Sequence, residues 1–385
     1  MAYLRLAAGL IGFFPAVALV AAEGNVSLPL GQIESTAGIQ DTDAPPAACC
    51  TLPGRFAVAA AAANSTRVTI EPTETGQRVL IAGHLFAEYV ADTGRLPAVW
   101  PIIGPSGHEM TRSWPLGPRK ADEMVDHPHH ESLWFSHGGV NGHDFWQGGK
   151  LEPPQRPHIV HTGYLRSEAT DAGVAVIETT NDWRADGKTV LTDVRSLAFG
   201  LLEDAPDSPR YIDFTIRLQA SEGPATFADT KEGTFGVRVP GAMKVDAQLD
   251  GEILSSSGLR DADAWGQPAD WVDYHGPLAR AEDEATEPPM GGITILSHPE
   301  SFRPTCRWHV RTYGLFAANP FGAAHFPPGE PQQGAVTLAA GDSLTLRYRV
   351  IFYAQSASAD TIRGWRQDFA ATPLDQNTAP KAASR

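Results

Sequence analysis

Apolar and polar residues alternate with a period of two in many short segments of this 385-residue chain. The clearest example is residues 211–220, in which Phe214, Ile216 and Leu218 alternate with polar side chains. Because successive side chains of a β-strand point to opposite faces, this pattern predicts a strand with one buried and one solvated face. Similar segments predict strands over 68–71, 79–81, 85–90, 97–104, 159–161, 174–180, 190–194, 195–201, 235–239, 292–296, 305–313, 336–338 and 344–353.

No repeat and no alternation of strands with helices interrupts this series, and 37 glycines and 31 prolines indicate many turns. We therefore predict an all-β fold, a large antiparallel β-sandwich, formed by one domain over residues 66–370. A short C-terminal helix is predicted over 361–369, capped by Asp360. Residues 243–290 are predicted to be a long functional excursion, and residues 371–385 a disordered tail.

The N-terminus has the pattern of a secretory signal peptide. Arg5 precedes a largely apolar run over 6–20, and the small residues Ala21 and Ala22 follow it. The run is shorter than the ~20 apolar residues that span a bilayer. We predict a signal peptide over 1–22, an Ala/Pro-rich leader or linker over 23–65, and export to the periplasm or the extracellular space. An uncleaved membrane anchor is the alternative.

Charge and motif content exclude several classes of function. The formal net charge of −15 argues against nucleic acid and anionic membranes as partners. The three cysteines, Cys49, Cys50 and Cys306, are too few for a disulfide framework. The sequence has no Gly-x-Ser-x-Gly elbow, no phosphate-binding loop and no His-Glu-x-x-His motif. Serine hydrolysis and nucleotide chemistry are therefore not expected.

The densest group of chemically active residues is the segment 126–146, DHPHHESLWFSHGGVNGHDFW. Imidazoles bind metals and transfer protons near neutral pH, and carboxylates orient them. His127 and His129 have the His-x-His spacing of a chelate, which His137 or Glu131 would complete around a divalent metal. The alternative is a set of histidines hydrogen-bonded around a buried turn. We predict that this segment forms one wall of a cleft.

Two later segments carry complementary groups. Residues 229–233, DTKEG, place Lys231 beside Glu232, as an acid/base pair or as a solvated charged turn. Residues 305–313, TCRWHVRTY, put His309 and Arg311 on one face if they form a strand. Such a face suits an anionic or hydroxyl-rich ligand. Asn319 lies in a tight turn close by.

Four motifs in this order resemble the bacterial exported family labelled "methane oxygenase PmoA". The resemblance covers about residues 66–355 and rests on DHPHHESLWFSHGGVNGHDFW, DTKEGTFGVRV, WGQPADWVDYHG and HPESFRPTCRWHVRTYGLFAANPFG. Members are frequent in organisms that degrade polysaccharides, which implies a carbohydrate substrate. A methane monooxygenase subunit of the same name crosses the membrane several times, so the resemblance does not imply methane oxidation.

The segment SHGGVNGHDFW is also similar to a histidine motif of aldose 1-epimerases. That similarity implies a galactose-mutarotase-like supersandwich with a sugar cleft, and it makes His137 a candidate. We predict an exported protein that binds a carbohydrate or another small polar substrate and performs acid/base hydrolysis, elimination or epimerisation, with or without a metal. The alternatives are a non-catalytic carbohydrate-binding module and a metal-dependent oxidase.

The predicted catalytic residues, which would act as acid/base groups or ligands, are His129, His130, His137, Lys231, Glu232 and His309. The predicted substrate-binding residues are Asn141, Asp144, Trp146, Trp271, Arg311 and Asn319, with Trp134 as a further stacking surface. The predicted metal ligands are His127 and His129.

Overall fold

Most of the alternating segments form strands where their pattern predicts them. The computed structural model describes residues 68–148, 155–281, 286–329 and 333–373. The predicted signal peptide, the whole predicted leader over 23–65 with Cys49 and Cys50, and residues 374–385 of the predicted tail lie outside these ranges. None of the described helices has the length and apolar character needed to cross a bilayer.

The described strands, in chain order, are β1 (Val68–Pro72), β2 (Gly76–Ile81), β3 (His84–Val90), β4 (Ala98–Ile102), β5 (Leu133–His137), β6 (His158–Ala169), β7 (Ala175–Ala185), β8 (Lys188–Leu201), β9 (Arg210–Gln219), β10 (Ala225–Phe227), β11 (Gly233–Arg238), β12 (Glu252–Ser255), β13 (Pro268–Ala269), β14 (Trp271–Pro277), β15 (Met290–Ser297), β16 (Cys306–Val310), β17 (Leu315–Asn319), β18 (Val336–Leu338) and β19 (Ser343–Ala354). One α-helix, α1 (Ala359–Ala370), and two short 3-10 helices, Val245–Ala247 and Asp261–Ala264, complete the described elements.

Within the described residues, the strands form two large antiparallel sheets and one two-stranded ribbon, β10-β18. The first sheet has the order β1-β2-β3-β4-β5-β11-β17-β16-β13, and the second β12-β14-β15-β19-β9-β8-β7-β6. Aromatic rings join the two sheets: Phe214 of the second sheet stacks on Phe235 of the first at 4.7 Å, and Phe235 stacks on Tyr348 at 4.9 Å. The predicted all-β sandwich with a short C-terminal helix is confirmed.

Four local predictions are wrong. Residues 190–201 belong to one continuous strand, β8, because its pairing with β9 runs without a break from Thr192 to Leu201. The strand predicted over 305–313 ends at Val310, where a turn closed by the Gly314 amide begins. Residues 243–290 do not form a long excursion from the sandwich, since they supply strands β12, β13 and β14 of its two sheets. Helix α1 is capped by Ser358, whose hydroxyl accepts from the Thr361 amide, and Asp360 lies in its first turn.

Candidate functional site

The candidate site lies on the face of the first sheet that points away from the second sheet. A cross-strand row runs from Trp134 on β5 through Gly236 and Ala317 to His309 on β16. Its neighbour Phe235 points the opposite way, into the inter-sheet core. A Cβ on Gly236 would lie 2.8 Å from the Trp134 ring, so glycine is what lets the indole cross this strand. The two small residues leave open space above the sheet between Trp134 and His309.

A turn over residues 126–130 covers this space, and Arg112 holds the turn. The buried guanidinium of Arg112 donates to the carbonyls of Asp126, His127 and His130 at 2.9 to 3.1 Å, and to the Asp126 carboxylate at 2.7 Å. His127 takes a positive φ of 46° within the turn. One arginine therefore satisfies several carbonyls that no strand partner could reach. We call residues 126–130 the histidine turn.

Asp126 is the charged centre of the histidine turn. Its carboxylate accepts two hydrogen bonds of 3.0 Å from Arg238 and one of 2.7 Å from Nδ1 of His127. Burial opposes ionisation of Asp126, but Arg238, His127 and Arg112 together outweigh it and hold the pKa of the carboxyl below its usual value. The ionised carboxylate thus fixes the orientation of the His127 ring. It engages Nδ1 and leaves Nε2 as the ring nitrogen that can bond another group.

Aromatic rings are stacked through the site in one column. His127 lies between Tyr313 and His130, with ring centroids 5.2 and 4.8 Å away and rings 7° from parallel. His130 continues the column onto Trp134 at 5.3 Å, and Trp146 backs Trp134 at 5.1 Å. The column limits the rotation of each imidazole, which favours preorganised rings over mobile ones.

A buried ion pair supports the histidine turn from behind. Glu131 accepts from Nε of Arg95 at 2.8 Å and from the Thr93 hydroxyl at 2.5 Å. Arg95 also donates to the carbonyls of His129 and Trp146. Burial raises the pKa of Glu131, although Arg95 opposes this. Glu131 therefore positions the turn from outside the cavity.

The opposite wall is a loop that precedes β11 and is fastened to β16 and β17. Nδ1 of His309 donates to the carbonyl of Lys231 at 2.8 Å, and the Asn319 amide donates to the carbonyl of Thr230 at 2.9 Å. The Lys231 ammonium lies 3.0 Å from a Glu232 carboxylate oxygen. Predicted residues from three separate segments are therefore joined by direct hydrogen bonds.

These hydrogen bonds assign the histidine tautomers. Nδ1 of His309 carries a proton, which leaves a lone pair on Nε2, whereas Nδ1 of His130 accepts from Arg238, so its Nε2 carries the proton. Burial, followed by Lys231 and Arg311, lowers the pKa of His309 to about 3. Burial and neighbouring cations also lower the pKa of His129 to about 3 and that of His130 well below its usual value. These three imidazoles are neutral at neutral pH.

The two walls enclose a cavity of about 330 Å³, here called the histidine cavity. Its lining residues come from the histidine turn, the loop before β11, the segment 309–315 and one residue after the Asp144 turn: His127, His129, His130, Gln147, Lys231, Glu232, His309, Arg311, Tyr313 and Leu315. The structure thus brings together six residues predicted as catalytic or substrate-binding, namely His129, His130, Lys231, Glu232, His309 and Arg311, and also His127.

His137 lies elsewhere, on the core side of β5. Its ring is fully buried, Nε2 is 2.9 Å from the carbonyl oxygen of Ala228, and Phe321 packs on it at 4.9 Å. Burial lowers its pKa to about 4. Successive side chains of a strand point to opposite faces of the sheet, and His137 is three residues from Trp134. His137 therefore lies on the face opposite to that of Trp134. Nothing in this geometry supports its predicted catalytic role.

The remaining predicted substrate-binding residues also lie outside the cavity lining. Asn141 bonds the backbone of Pro224 and Thr226, and Asp144 caps its own turn by accepting from the amides of Trp146 and Gln147. Trp146 is buried behind the ring column. These three residues shape the wall and the fold.

Trp271 and Asn319 complete the set of predicted residues that do not line the cavity. Trp271 packs in the second sheet, in the small core beneath α1. Asn319 is fully buried and acts through the loop that carries Lys231. Its role in this geometry is to position Lys231.

Sequence reasoning missed Asp126 as the centre of the site, together with Arg112 and Arg238. Arg238 did carry a signal, because an arginine at the end of an otherwise apolar strand requires a buried partner. Arg112 lies in an irregular segment and gives no such signal. Among the described residues, no group of three or more His, Cys, Asp or Glu side chains is arranged to hold a metal ion. The predicted metal role of His127 and His129 therefore has no third ligand here.

A solved structure of a polysaccharide lyase matches 78% of this chain and 34% of its own, at 11% sequence identity and a TM-score of 0.29. This chain therefore spans about a third of the length of that protein. No curated protein matches the sequence. Residues 77–365 match the model of DUF6807, a family of unknown function, and the chain belongs to that family.

Proposed function

We propose that this protein is an exported enzyme that removes and returns protons on a carbohydrate, by elimination or epimerisation. The observation that carries the proposal is the histidine cavity itself. It joins the Asp126–His127 pair, three neutral imidazoles and the Lys231–Glu232 pair, from segments about 100 residues apart in sequence. Packing alone does not require this convergence, since the buried polar rings of His130 and His309 cost free energy to remove from water.

His127 is the proposed proton acceptor. Its Nδ1 is engaged by the ionised Asp126 at 2.7 Å, so Nε2 is the nitrogen available to a substrate. A carboxylate in this position orients the ring and stabilises the imidazolium that forms when the ring takes a proton. Lys231, on the opposite wall, is the proposed donor, since its ammonium lies in the cavity beside Glu232.

The number of carboxylates favours proton abstraction over hydrolysis. Glycoside hydrolases ordinarily use two carboxyl groups that flank the scissile bond. Glu232 supplies the only carboxylate in the lining of the histidine cavity, and Lys231 pairs with it. Asp126 is occupied by Arg112 and Arg238. Elimination and epimerisation need one base at a carbon-bound proton, which His127 supplies.

A sugar fits the character and size of the cavity. Its walls offer hydrogen-bond donors and acceptors with aromatic faces, and its volume of about 330 Å³ is at the small end of ligand pockets, which suits a single ring. The resemblance to aldose 1-epimerases and to an exported family of polysaccharide-degrading bacteria supports the same substrate class.

The main rival is a non-catalytic carbohydrate-binding module. Such a module needs exposed aromatic faces but no oriented proton-transfer pair. The 2.7 Å contact between Asp126 and His127, held by two buried arginines at the edge of the histidine cavity, favours the enzyme.

The test is proton NMR of oligosaccharides incubated with the purified chain in D₂O. Elimination would produce a vinyl proton signal, epimerisation would replace a ring C–H by deuterium, and hydrolysis would produce only new reducing ends. The His127→Gln variant should lose the reaction. His143→Gln is the matched control, because His143 belongs to the same sequence segment but does not line the cavity. Hydrolysis without deuterium uptake or a vinyl product would refute the proposal, as would full activity of His127→Gln.

A further inference from the structure

Arg311 separates two adjoining cavities. It lines the histidine cavity and also a second cavity of about 280 Å³, the Trp265 cavity, whose other lining residues are Ala262, Trp265, Val310 and Thr312. The turn that follows β16 brings Arg311 to this position, since the strand ends at Val310. A ligand longer than one sugar would pass Arg311 on its way from one cavity to the other.

Among the described residues, Arg311 contacts two aromatic rings and pairs with no carboxylate. Its guanidinium carbon lies 5.4 Å from the centre of the Trp265 ring and 5.5 Å from that of Tyr313. Lys231, the other cation of the lining, is paired with Glu232 at 3.0 Å.

The nearby arginines make the contrast clear. Arg112 and Arg238 share the Asp126 carboxylate, and Arg95 is paired with Glu131. The site therefore neutralises its buried guanidiniums and leaves one free where two cavities meet. A generally basic surface does not explain this, because the chain has 45 acidic residues against 30 Lys and Arg.

Given the proposed function, on which this step rests, we infer that the carbohydrate is an acidic oligosaccharide. One uronate ring lies in the histidine cavity with its carboxylate on Arg311, and the adjacent sugar stacks on Trp265 in the second cavity. A guanidinium matches the planar carboxylate with two parallel hydrogen bonds. An indole face suits the apolar face of a sugar ring. The observation behind the inference is the unpaired guanidinium shared by two cavities.

Binding is measured by calorimetry with matched trisaccharides. Trimers of galacturonate, glucuronate and mannuronate are compared with trimers of galactose, glucose and mannose and with the methyl esters of the acidic trimers. The His127→Gln chain serves as the background, so that no turnover disturbs the measurement. At least one acidic trimer should bind about tenfold or more tightly than its neutral and esterified counterparts, which is the usual strength of a hydrogen bond to a charged group.

Variants of Arg311 connect this preference to its charge. Arg311→Gln should remove the preference for the acidic trimer, while Arg311→Lys should keep part of it because the charge remains but the planar fork is lost. Arg217→Gln is the matched control, since Arg217 lies on β9 and bonds Ser343, outside both cavities. The control should bind as the background does.

Variants of Trp265 test the second sugar. Trp265→Ala should weaken binding of the acidic trimer by about tenfold and leave binding of the corresponding acidic monosaccharide unchanged. Trp265→Phe should restore most of the lost affinity, because an aromatic face is retained. An equal loss for both ligands would remove the second cavity from the inference.

The inference is overturned if none of the acidic trimers binds, if neutral or esterified trimers bind equally well, or if sulfated neutral trimers bind in preference to uronates. Its failure is distinct from that of the proposed function. Tight uronate binding that depends on Arg311, without any turnover by the unmodified chain, would reject the enzyme and keep the ligand. Proton exchange on neutral sugars without acidic preference would do the reverse.

Discussion

Two aspartate–histidine pairs in this protein have the same local geometry and very different surroundings. Nδ1 of His127 lies 2.7 Å from Asp126, and Nδ1 of His275 lies 2.8 Å from Asp273. Asp126 is also bonded by two guanidiniums, while Asp273 is bonded by the hydroxyls of Thr294 and Tyr353 at 2.5 and 2.8 Å. Hydrogen-bond geometry alone therefore does not separate a reactive pair from a structural one.

The difference lies in what the histidine faces. His127 lines the histidine cavity, whereas His275 lies on β14 and lines neither that cavity nor the Trp265 cavity. Asp273 is buried in the second sheet, and its partner Tyr353 packs on Trp365 of α1. We therefore propose proton transfer for the first pair and cohesion of the sheet and helix for the second.

The largest expected effect is on turnover. Replacing His127 by Gln should slow the reaction by about 10²–10⁴-fold, the usual contribution of a general base. The same substitution at His275 should leave the rate within about twofold, because His275 touches no proposed substrate position. Initial rates of the two variants decide the matter. Equal losses in both would remove the distinction between the pairs.

The next effect is on the free energy of unfolding, which should fall further when Asp126 is removed than when Asp273 is removed. Asp126→Ala leaves Arg112 and Arg238 buried without a counter-charge, which should lower the free energy of unfolding by about 3–5 kcal/mol. Asp273→Ala leaves two hydroxyls and an imidazole unpaired, and should cost about 1–3 kcal/mol.

Urea denaturation of both aspartate variants measures these changes. The matched Asp126→Asn variant should recover only part of the loss, since a neutral amide does not compensate two guanidiniums. A larger loss for Asp273→Ala than for Asp126→Ala would contradict the charge argument.

How far sequence alone reaches differs between fold and site. Strands such as β9 are predictable because a half-buried strand must alternate in polarity. Residue type alone suggests that His129, Lys231 and His309 are functional. Their meeting in one cavity depends on β5, β11, β17 and β16 being neighbours, and no local pattern encodes that order.

The positions that the sequence did not reveal have the same origin. His137 resembles the cavity histidines in sequence, yet strand alternation turns it into the core against Phe321. Asp126 looks like one of several acids near histidines, and its importance depends on Arg112 and Arg238, 14 and 112 residues away. Long-range charge pairing is a property of the folded topology, so composition and spacing do not reveal it.

A smaller effect concerns pH and the neutral imidazoles around the reactive pair. Burial lowers the pKa of His309 to about 3, against ~6.5 for the unfolded chain. Between these values the unfolded state binds a proton that the native state does not, so stability is fully present above pH ~6.5 and is lost as the pH falls toward ~3. His309→Gln keeps a donor for the Lys231 carbonyl but removes the titration.

Urea denaturation from pH 7 to 4.5 should show a shallower acid loss for His309→Gln, by up to about 1.4 kcal/mol per pH unit. Leu315→Met is the control, since it alters the same cavity without a titrating group. An unchanged slope in His309→Gln would show that this imidazole is not kept neutral by the fold.

The smallest expected effect uses one substitution in both regions. Tyr353→Phe removes a hydroxyl that donates to Asp273 at 2.8 Å, which should lower the free energy of unfolding by about 1 kcal/mol. Tyr313→Phe keeps the ring that stacks on His127, and its hydroxyl has no hydrogen-bond partner among the described residues, so stability should change by less than about 0.5 kcal/mol. Turnover should show the opposite order, because only Tyr313 lines the histidine cavity. Thermal unfolding and initial rates of the two variants measure this inversion, and a stability loss in Tyr313→Phe with normal turnover would assign the ring column to the fold instead of the reaction.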